Sequence, residues 1–217
     1  MKRIIFGGAC LVLVLGFFLG ANYYRESRAE NLSFMARDNA SIFVRPHSAT
    51  LGSDEAGVYI VKFTDPACET CASFSPYMKQ ALKAFPGRVK VVIRYAPFHK
   101  GSWDIVRILE ASKKQEKFWE TLEVLYRRQR SWTQHHVVQL DQVWQFLPEA
   151  GLDVERVRTD MKDPAITAII EQDLADARVL GVRKTPGFFV NGKPLEPFGA
   201  QQLATLIKSE IAARYPD

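Results

Sequence analysis

Apolar positions change their spacing several times along this chain, and each change predicts an element. Val58 to Phe63 (Val-Tyr-Ile-Val-Lys-Phe) is rich in β-branched and aromatic residues and predicts a strand. Residues 68–85 carry Phe74, Met78, Ala81, Leu82 and Phe85 at helical spacing, and Val89 to Tyr95 predicts a second strand. A strand–helix–strand crossover of this length implies parallel pairing with a right-handed connection. Ile42-Phe43-Val44 is expected as a short strand before Pro46.

Only helical spacing follows. Ile105, Ile108, Leu109 and Ser112 form one stripe; Phe118, Leu122, Leu125 and Tyr126 a second; Leu140, Val143, Trp144 and Leu147 a third. Trp103, Trp119, Trp132 and Trp144 fall among these stripes and are expected in the core or at an interface. Asp153 can cap a short segment with Val154, Val157 and Met161. Asp163-Pro164 starts a further helix that Gly181 stops. Residues 101–181 are thus expected to be all-helical. The period then returns to two at Phe188-Phe189-Val190. Asn191-Gly192 signals a hairpin into a short edge strand, Lys193 to Glu196, limited by Pro194 and Pro197. Leu203, Leu206, Ile207 and Ile211 close the chain with an amphipathic helix.

The start of the chain differs. Lys2 and Arg3 precede the unbroken apolar run Ile4 to Ala21. That is a charged segment followed by a hydrophobic one, long enough to favour an uncleaved signal anchor over a cleaved signal peptide. Positive residues at this end place the remainder outside the cytoplasm, in a bacterium the periplasm. Residues 22–45 are a polar spacer. The 29 basic side chains less Lys2 and Arg3 leave 27 against 24 acidic ones, too even a balance to suggest nucleic acid. The cluster Arg127-Arg128-Gln129-Arg130 ends a helical pattern, where cations suit the helix dipole. With 47% hydrophobic residues the chain can bury a real core, which excludes a disordered class.

Three cysteines exclude a disulfide-stapled scaffold, and Cys10 lies in the apolar run. Only Cys68-Glu69-Thr70-Cys71 remains for chemistry, placed where a strand ends and a helix begins. Unpaired N–H groups there favour a thiolate on the first cysteine. Cys68 can then attack a disulfide or be attacked by a thiolate, and Cys71 can resolve the mixed disulfide. Zinc would need two further ligands; the histidines are His47, His99, His135 and His136, and the adjacent His135-His136 lacks the usual separation. Carriage of copper(I) on the two thiolates is the alternative from a different class. No metal and no cofactor are expected for the exchange reading.

Val-Lys-Phe-Thr-Asp-Pro-Ala-Cys-Glu-Thr-Cys and the stretch Gly181 to Gly192 (Gly-Val-Arg-Lys-Thr-Pro-Gly-Phe-Phe-Val-Asn-Gly) together resemble the DsbA-like thiol–disulfide oxidoreductases. Tyr95-Ala96-Pro97-Phe98-His99 and Glu116-Lys117-Phe118-Trp119 are less specific family stretches. The resemblance covers residues 46–212. It implies an α/β thioredoxin-like fold over 46–100 and 182–217, with the helical block 101–181 inserted and one hydrophobic helix at the N-terminus. It implies Cys68 as nucleophile, Cys71 as resolving cysteine, and Pro186 as a cis-proline facing the pair with Thr185 before it. Pro76 is similar to a helix-kinking proline. Implied partners are substrate proteins with thiols or disulfides and a membrane or periplasmic redox partner.

Lys62 departs from the pattern, since many thioredoxin-like proteins carry an acid six positions before the first cysteine. It is either buried beneath the pair or an edge-facing lysine reaching water. If buried about 6 Å from a thiolate, at an effective dielectric of about 20, it attracts by roughly 3 kcal/mol before desolvation. That biases the couple by up to about 60 mV toward oxidising power. Burial can also neutralise it. Asp65, three before Cys68, could lie beside the pair but is expected first as part of an ordinary Asp-Pro turn, and His99 follows a strand and could approach the site.

Overall fold

A computed structural model describes residues 13–28, 30, 42–135 and 137–216. A helix over residues 13–28 (α1) is followed by β1 (Ala49–Gly52), β2 (Val58–Thr64), α2 (Glu69–Ser73), α3 (Ser75–Ala84) and β3 (Val89–Tyr95). Next come α4 (Ser102–Lys113), α5 (Phe118–Arg127), α6 (Gln129–Trp132), β4 (Thr133–Gln134), β5 (Val137–Val138) and α7 (Leu140–Val143). A 3-10 turn (Leu147–Ala150), α8 (Val154–Asp160), α9 (Pro164–Val179), β6 (Gly187–Val190), β7 (Lys193–Pro194) and α10 (Ala200–Arg214) complete it.

One five-stranded sheet runs β1-β3-β2-β6-β7. β2 and β3 pair in parallel with Val58 opposite Val89, as the crossover requires, and the other neighbours are antiparallel. β2 is therefore the central strand. Its alternation divides the core. Val58 and Ile60 face a large cluster with α3, α4, α5 and α10, while Val61 and Phe63 face a smaller one. In that smaller cluster the Phe189 ring lies 5.4 Å from Phe43 and 6.1 Å from Phe63, edge to face.

A buried ion network fastens α9 to the sheet. Arg94, on β3 and fully buried, donates to Asp173 at 2.8 Å and to Asp176 at 2.5 Å. Asp173 also accepts from the Tyr95 main chain at 2.7 Å and pairs with His47 at 2.7 Å; Arg45 grips Asp176 with two bonds. Such a network holds only while each charge keeps its partners.

Several expectations are corrected. Residues 42–44 form a turn, because the carbonyls of Ile42 and Phe43 accept from Arg94 at 2.6 and 3.2 Å instead of joining a ladder. The edge position is taken by β1. The helix expected over 68–85 breaks at Phe74: Pro76 has no N–H to continue the ladder and stands in the first turn of α3 instead. The block 101–181 is not wholly helical, since β4 and β5 pair within it and Val138 donates to the Lys100 carbonyl at 3.0 Å. The edge strand after Asn191-Gly192 is shorter than expected, Lys193–Pro194. The caps at Asp153 and Asp163 form as expected, accepting from Arg156 N and Ala165 N.

Trp132 is fully buried and its indole donates to Leu125 O at 3.0 Å; Trp103, Trp119 and Trp144 pack partly buried against the same core. Arg127 and Arg128 both pair with Glu149. Helix α1 exposes Leu13, Phe17 and Leu19, and Arg28 at its end donates to Leu180 O at 3.2 Å. Among the described residues no helix is long and apolar enough to cross a membrane. The expected signal or anchor over residues 1–21 lies partly outside them.

Candidate active site

The Asp-Pro turn sets the pair. Cys68 N donates to Asp65 O at 3.0 Å and Ala67 N to the Asp65 side chain at 2.9 Å, so the chain leaves β2, turns, and begins α2 with Cys68 extended at its N-cap. Cys68 is 7% exposed and Cys71 is fully buried. Glu69 and Thr70 between them face solvent. Across from the pair, the Thr185–Pro186 peptide is cis, and Cys68 Sγ lies 3.3 Å from Thr185 O. Residues 117 positions apart in sequence thus meet at one sulfur.

The two thiols differ sharply in proton affinity. Cys68 is pushed down to about 5, first by hydrogen bonding from the Cys71 thiol, against burial, with help from the Thr185 side chain and the main chain of Cys71 and Thr70. Cys71 is pushed well up, first by burial and then by holding its proton toward Cys68; Lys62 and Thr64 act against that rise. One proton shared between the sulfurs therefore sits on Cys71, leaving Cys68 the thiolate.

Lys62 lies beneath the pair. It is 1% exposed, so the edge-facing alternative is overturned: β2 is central, flanked by β3 and β6, and no edge is available. Its ammonium donates to Cys71 O at 2.8 Å and stands 5.0 Å from the centre of the Tyr126 ring. Burial lowers its pKa to about 8, while the charges of Cys71 and Cys68 act to raise it.

Asp65 does more than turn the chain. It is fully buried and accepts from His99 N at 2.8 Å, His99 Nδ1 at 2.6 Å and Ser102 Oγ at 2.6 Å, tying the loop before Cys68 to the start of α4. Gln129, from α6, donates to Pro66 O at 2.7 Å and Cys68 O at 3.1 Å. Thr64 Oγ1 lies 2.7 Å from Tyr126 Oη. The structure thus gathers Lys62, Cys68, Cys71, Thr185 and Pro186 in one place. His99, which the sequence allowed to approach, reaches Asp65, and Thr64, Tyr126 and Gln129 are added. Thr64 was detectable as the residue two after Lys62 on the same strand face. Tyr126 had the signal of a core stripe, and Gln129 had none.

A Cys-x-x-Cys pair at a helix start lies across from a cis-proline, beside the central strand of a sheet in thioredoxin order. Residues 45–209 match the thioredoxin family, and the chain belongs to that family. It is 27% identical to a solved thioredoxin-like oxidoreductase from Silicibacter pomeroyi DSS-3, with a TM-score of 0.70, covering 81% of this chain and 98% of that one. It is 28% identical over 165 residues to a probable disulfide bond formation protein D of Bacillus cereus, covering 72% of this chain and 76% of that protein. It is also 31% identical over 144 residues to a Na(+)/H(+) antiporter NhaA of Herminiimonas arsenicoxydans, covering 66% of this chain. The chain spans only 22% of that antiporter's length.

Proposed function

We propose that this protein is an extracytoplasmic thiol–disulfide oxidoreductase that oxidises dithiols in substrate proteins. The observation that carries the reading is the asymmetry of the pair, a low-pKa Cys68 against a high-pKa Cys71. A stabilised thiolate favours the reduced form of the couple, which makes the disulfide an oxidant. In the forward step a substrate thiolate attacks Cys68 Sγ of the Cys68–Cys71 disulfide. The bond between the two cysteines breaks, its electron pair stays on Cys71, and a mixed disulfide joins substrate to Cys68. A second substrate thiolate attacks the substrate sulfur, releasing Cys68 as thiolate and leaving a disulfide in the substrate. A separate redox partner then reoxidises the pair.

Lys62 supports the same direction, because a buried cation near both sulfurs favours their ionised forms. Thr185 and Pro186 present main chain beside Cys68 for an extended substrate segment. Exposed rings of Tyr77 and Phe198, stacked around Phe74 and Phe188, offer an apolar surface near by. The thioredoxin-like part is taken as 46–100 and 182–217, the insertion as 101–181 and the spacer as 22–45. Residues 4–21 tether it to the periplasmic side of the inner membrane, or are removed as a signal peptide.

Cys71→Ser tests the reading in cells. Substrate proteins are expected to accumulate as covalent adducts on Cys68, dissociable by dithiothreitol, and wild-type Cys68 and Cys71 are expected mostly oxidised by thiol trapping. A mostly reduced wild-type pair would indicate a reductase or isomerase instead. Absence of any adduct, with tight copper(I) binding, would indicate a carrier.

A further inference from the structure

The main chain around Cys68 is held from outside the motif, one peptide at a time. A trans peptide points its C=O and its N–H to opposite sides, so two partners fix its plane. The Pro66–Ala67 peptide has both: Gln129 Nε2 donates to Pro66 O at 2.7 Å, and Ala67 N donates to Asp65 Oδ1 at 2.9 Å. The next peptide is set by Cys68 N, which donates to Asp65 O at 3.0 Å. The one after it is set by Cys68 O, which accepts from Gln129 Nε2 at 3.1 Å and from Ala72 N at 3.2 Å. Between those two planes Cys68 sits at φ −79° and ψ 118°. An amide nitrogen carries two protons, so Gln129 gives one to each carbonyl. Gln129 is itself firmly seated. It is buried, its own carbonyl accepts from Thr133 Oγ1 at 2.8 Å, and the Trp132 indole ties α6 to Leu125 O at 3.0 Å.

We propose that Gln129, on the inserted helical block, is a positioning residue for exchange: by fixing the Pro66 and Cys68 carbonyls it holds the Cys68 sulfur in the line that Cys71 needs to close the disulfide. This rests on the thiol–disulfide exchange reading. Closure of a disulfide demands a narrow geometry of both backbones. In a mixed disulfide nothing covalent joins Cys68 to Cys71 across the turn, and Cys68 Sγ is bonded to a substrate that can pull on it. Gln129 then holds the main chain at Cys68, while Lys62 from β2 holds it at Cys71 O, 2.8 Å away. Each cysteine carbonyl is thus gripped by a side chain of another element. When the Cys71 thiolate attacks Cys68 Sγ, the bond from Cys68 to the substrate sulfur breaks and its electron pair leaves on the substrate thiolate. The proton lost by Cys71 passes through solvent to that leaving thiolate. The same alignment serves the opposite step, in which attack on Cys68 expels Cys71.

Rapid-quench reaction of the reduced protein with oxidised glutathione tests this. The first step joins glutathione to Cys68; the second is resolution by Cys71, which releases it. Gln129→Met keeps the side-chain length and removes both donors. Resolution is expected to slow about three- to tenfold relative to the first step, the effect of one net hydrogen bond on alignment, and the mixed disulfide is expected to accumulate. Val157→Ala, on α8 of the same block and fully buried, is expected to lower stability in urea without moving that ratio. An unchanged ratio in a folded Gln129→Met protein overturns the proposal. So does equal slowing of both steps, or an equal change of the ratio in Val157→Ala. If Gln129→Met does not fold, Gln129→Asn withdraws the amide by one methylene, and an unchanged ratio there overturns it. A wild-type protein that forms no mixed disulfide refutes the exchange reading itself, and this proposal with it. A wild-type protein that exchanges, with a ratio that Gln129→Met matches, refutes the role of Gln129 alone.

Discussion

The Lys62 ammonium donates to the main-chain carbonyl of Cys71 at 2.8 Å from the central strand of the sheet, where the side chain is buried. The cation is thereby fixed beneath both sulfurs rather than drifting to solvent. Lys62→Met is expected to make the couple more reducing by tens of millivolts, about 60 mV at most. Equilibration with glutathione buffers measures this; a potential that rises or stays put removes the electrostatic role.

The same lysine predicts a stability profile. In the reduced protein burial lowers its pKa from 10.5 to about 8. Between those values the unfolded chain binds a proton that the folded one lacks, so this group's contribution to stability rises with pH across that window. Below about pH 8 the burial penalty is present in full, on the order of 3 kcal/mol. Lys62→Met, which also loses one hydrogen bond, is expected to stabilise the reduced protein by about 2 kcal/mol at pH 7 in urea unfolding. It is also expected to flatten the slope between pH 8 and 10.

Cys68 is expected to be a thiolate at neutral pH, with absorbance at 240 nm titrating near its pKa of about 5. The Cys71 thiol is the largest cause, so Cys71→Ala is expected to move the midpoint up by about one to two units. Because the folded value is depressed, the stabilisation of the reduced state by this group is complete above the ordinary thiol range, near 9, and is lost as pH falls through about 5.

Asp65→Ala removes the acceptor for two main-chain N–H groups, the His99 ring and the Ser102 hydroxyl. A loss of about 2–4 kcal/mol in urea unfolding is expected. Alkylation of Cys68 should slow as well, since its turn loosens. A stability change within experimental error would mean that the loop is held by other contacts.

Asp173→Ala leaves Arg94 buried with one carboxylate fewer, and a cost of about 3–5 kcal/mol is expected. Arg94→Met together with Asp173→Leu is expected to recover part of it, since an apolar pair needs no partners.

Local chemistry made much of this legible. β-branched runs gave β2 and β3, Asn191-Gly192 gave the hairpin, and the Cys-x-x-Cys and Thr-Pro stretches gave the two sides of the site. What stayed hidden depends on contacts between distant residues. Ile42 and Phe43 have strand-like side chains, yet their carbonyls go to a guanidinium 52 and 51 residues away. Lys62 was open between two environments because its own strand does not say whether it is central or at an edge. That depends on β6, which arrives more than a hundred residues later. Tyr126 and Gln129 sit in helical segments whose pattern reports burial and says nothing of what the polar tip meets.

Cys71, burial and Thr185 act on Cys68 together only in the folded molecule, so its acidity belongs to that state alone. In an unfolded chain Cys68 and Cys71 are two ordinary thiols, with pKa values of about 8.5. At pH 6 a mild alkylating agent therefore labels folded molecules quickly and unfolded ones slowly. Labelling at that pH is thus a report, molecule by molecule, of whether folding has finished.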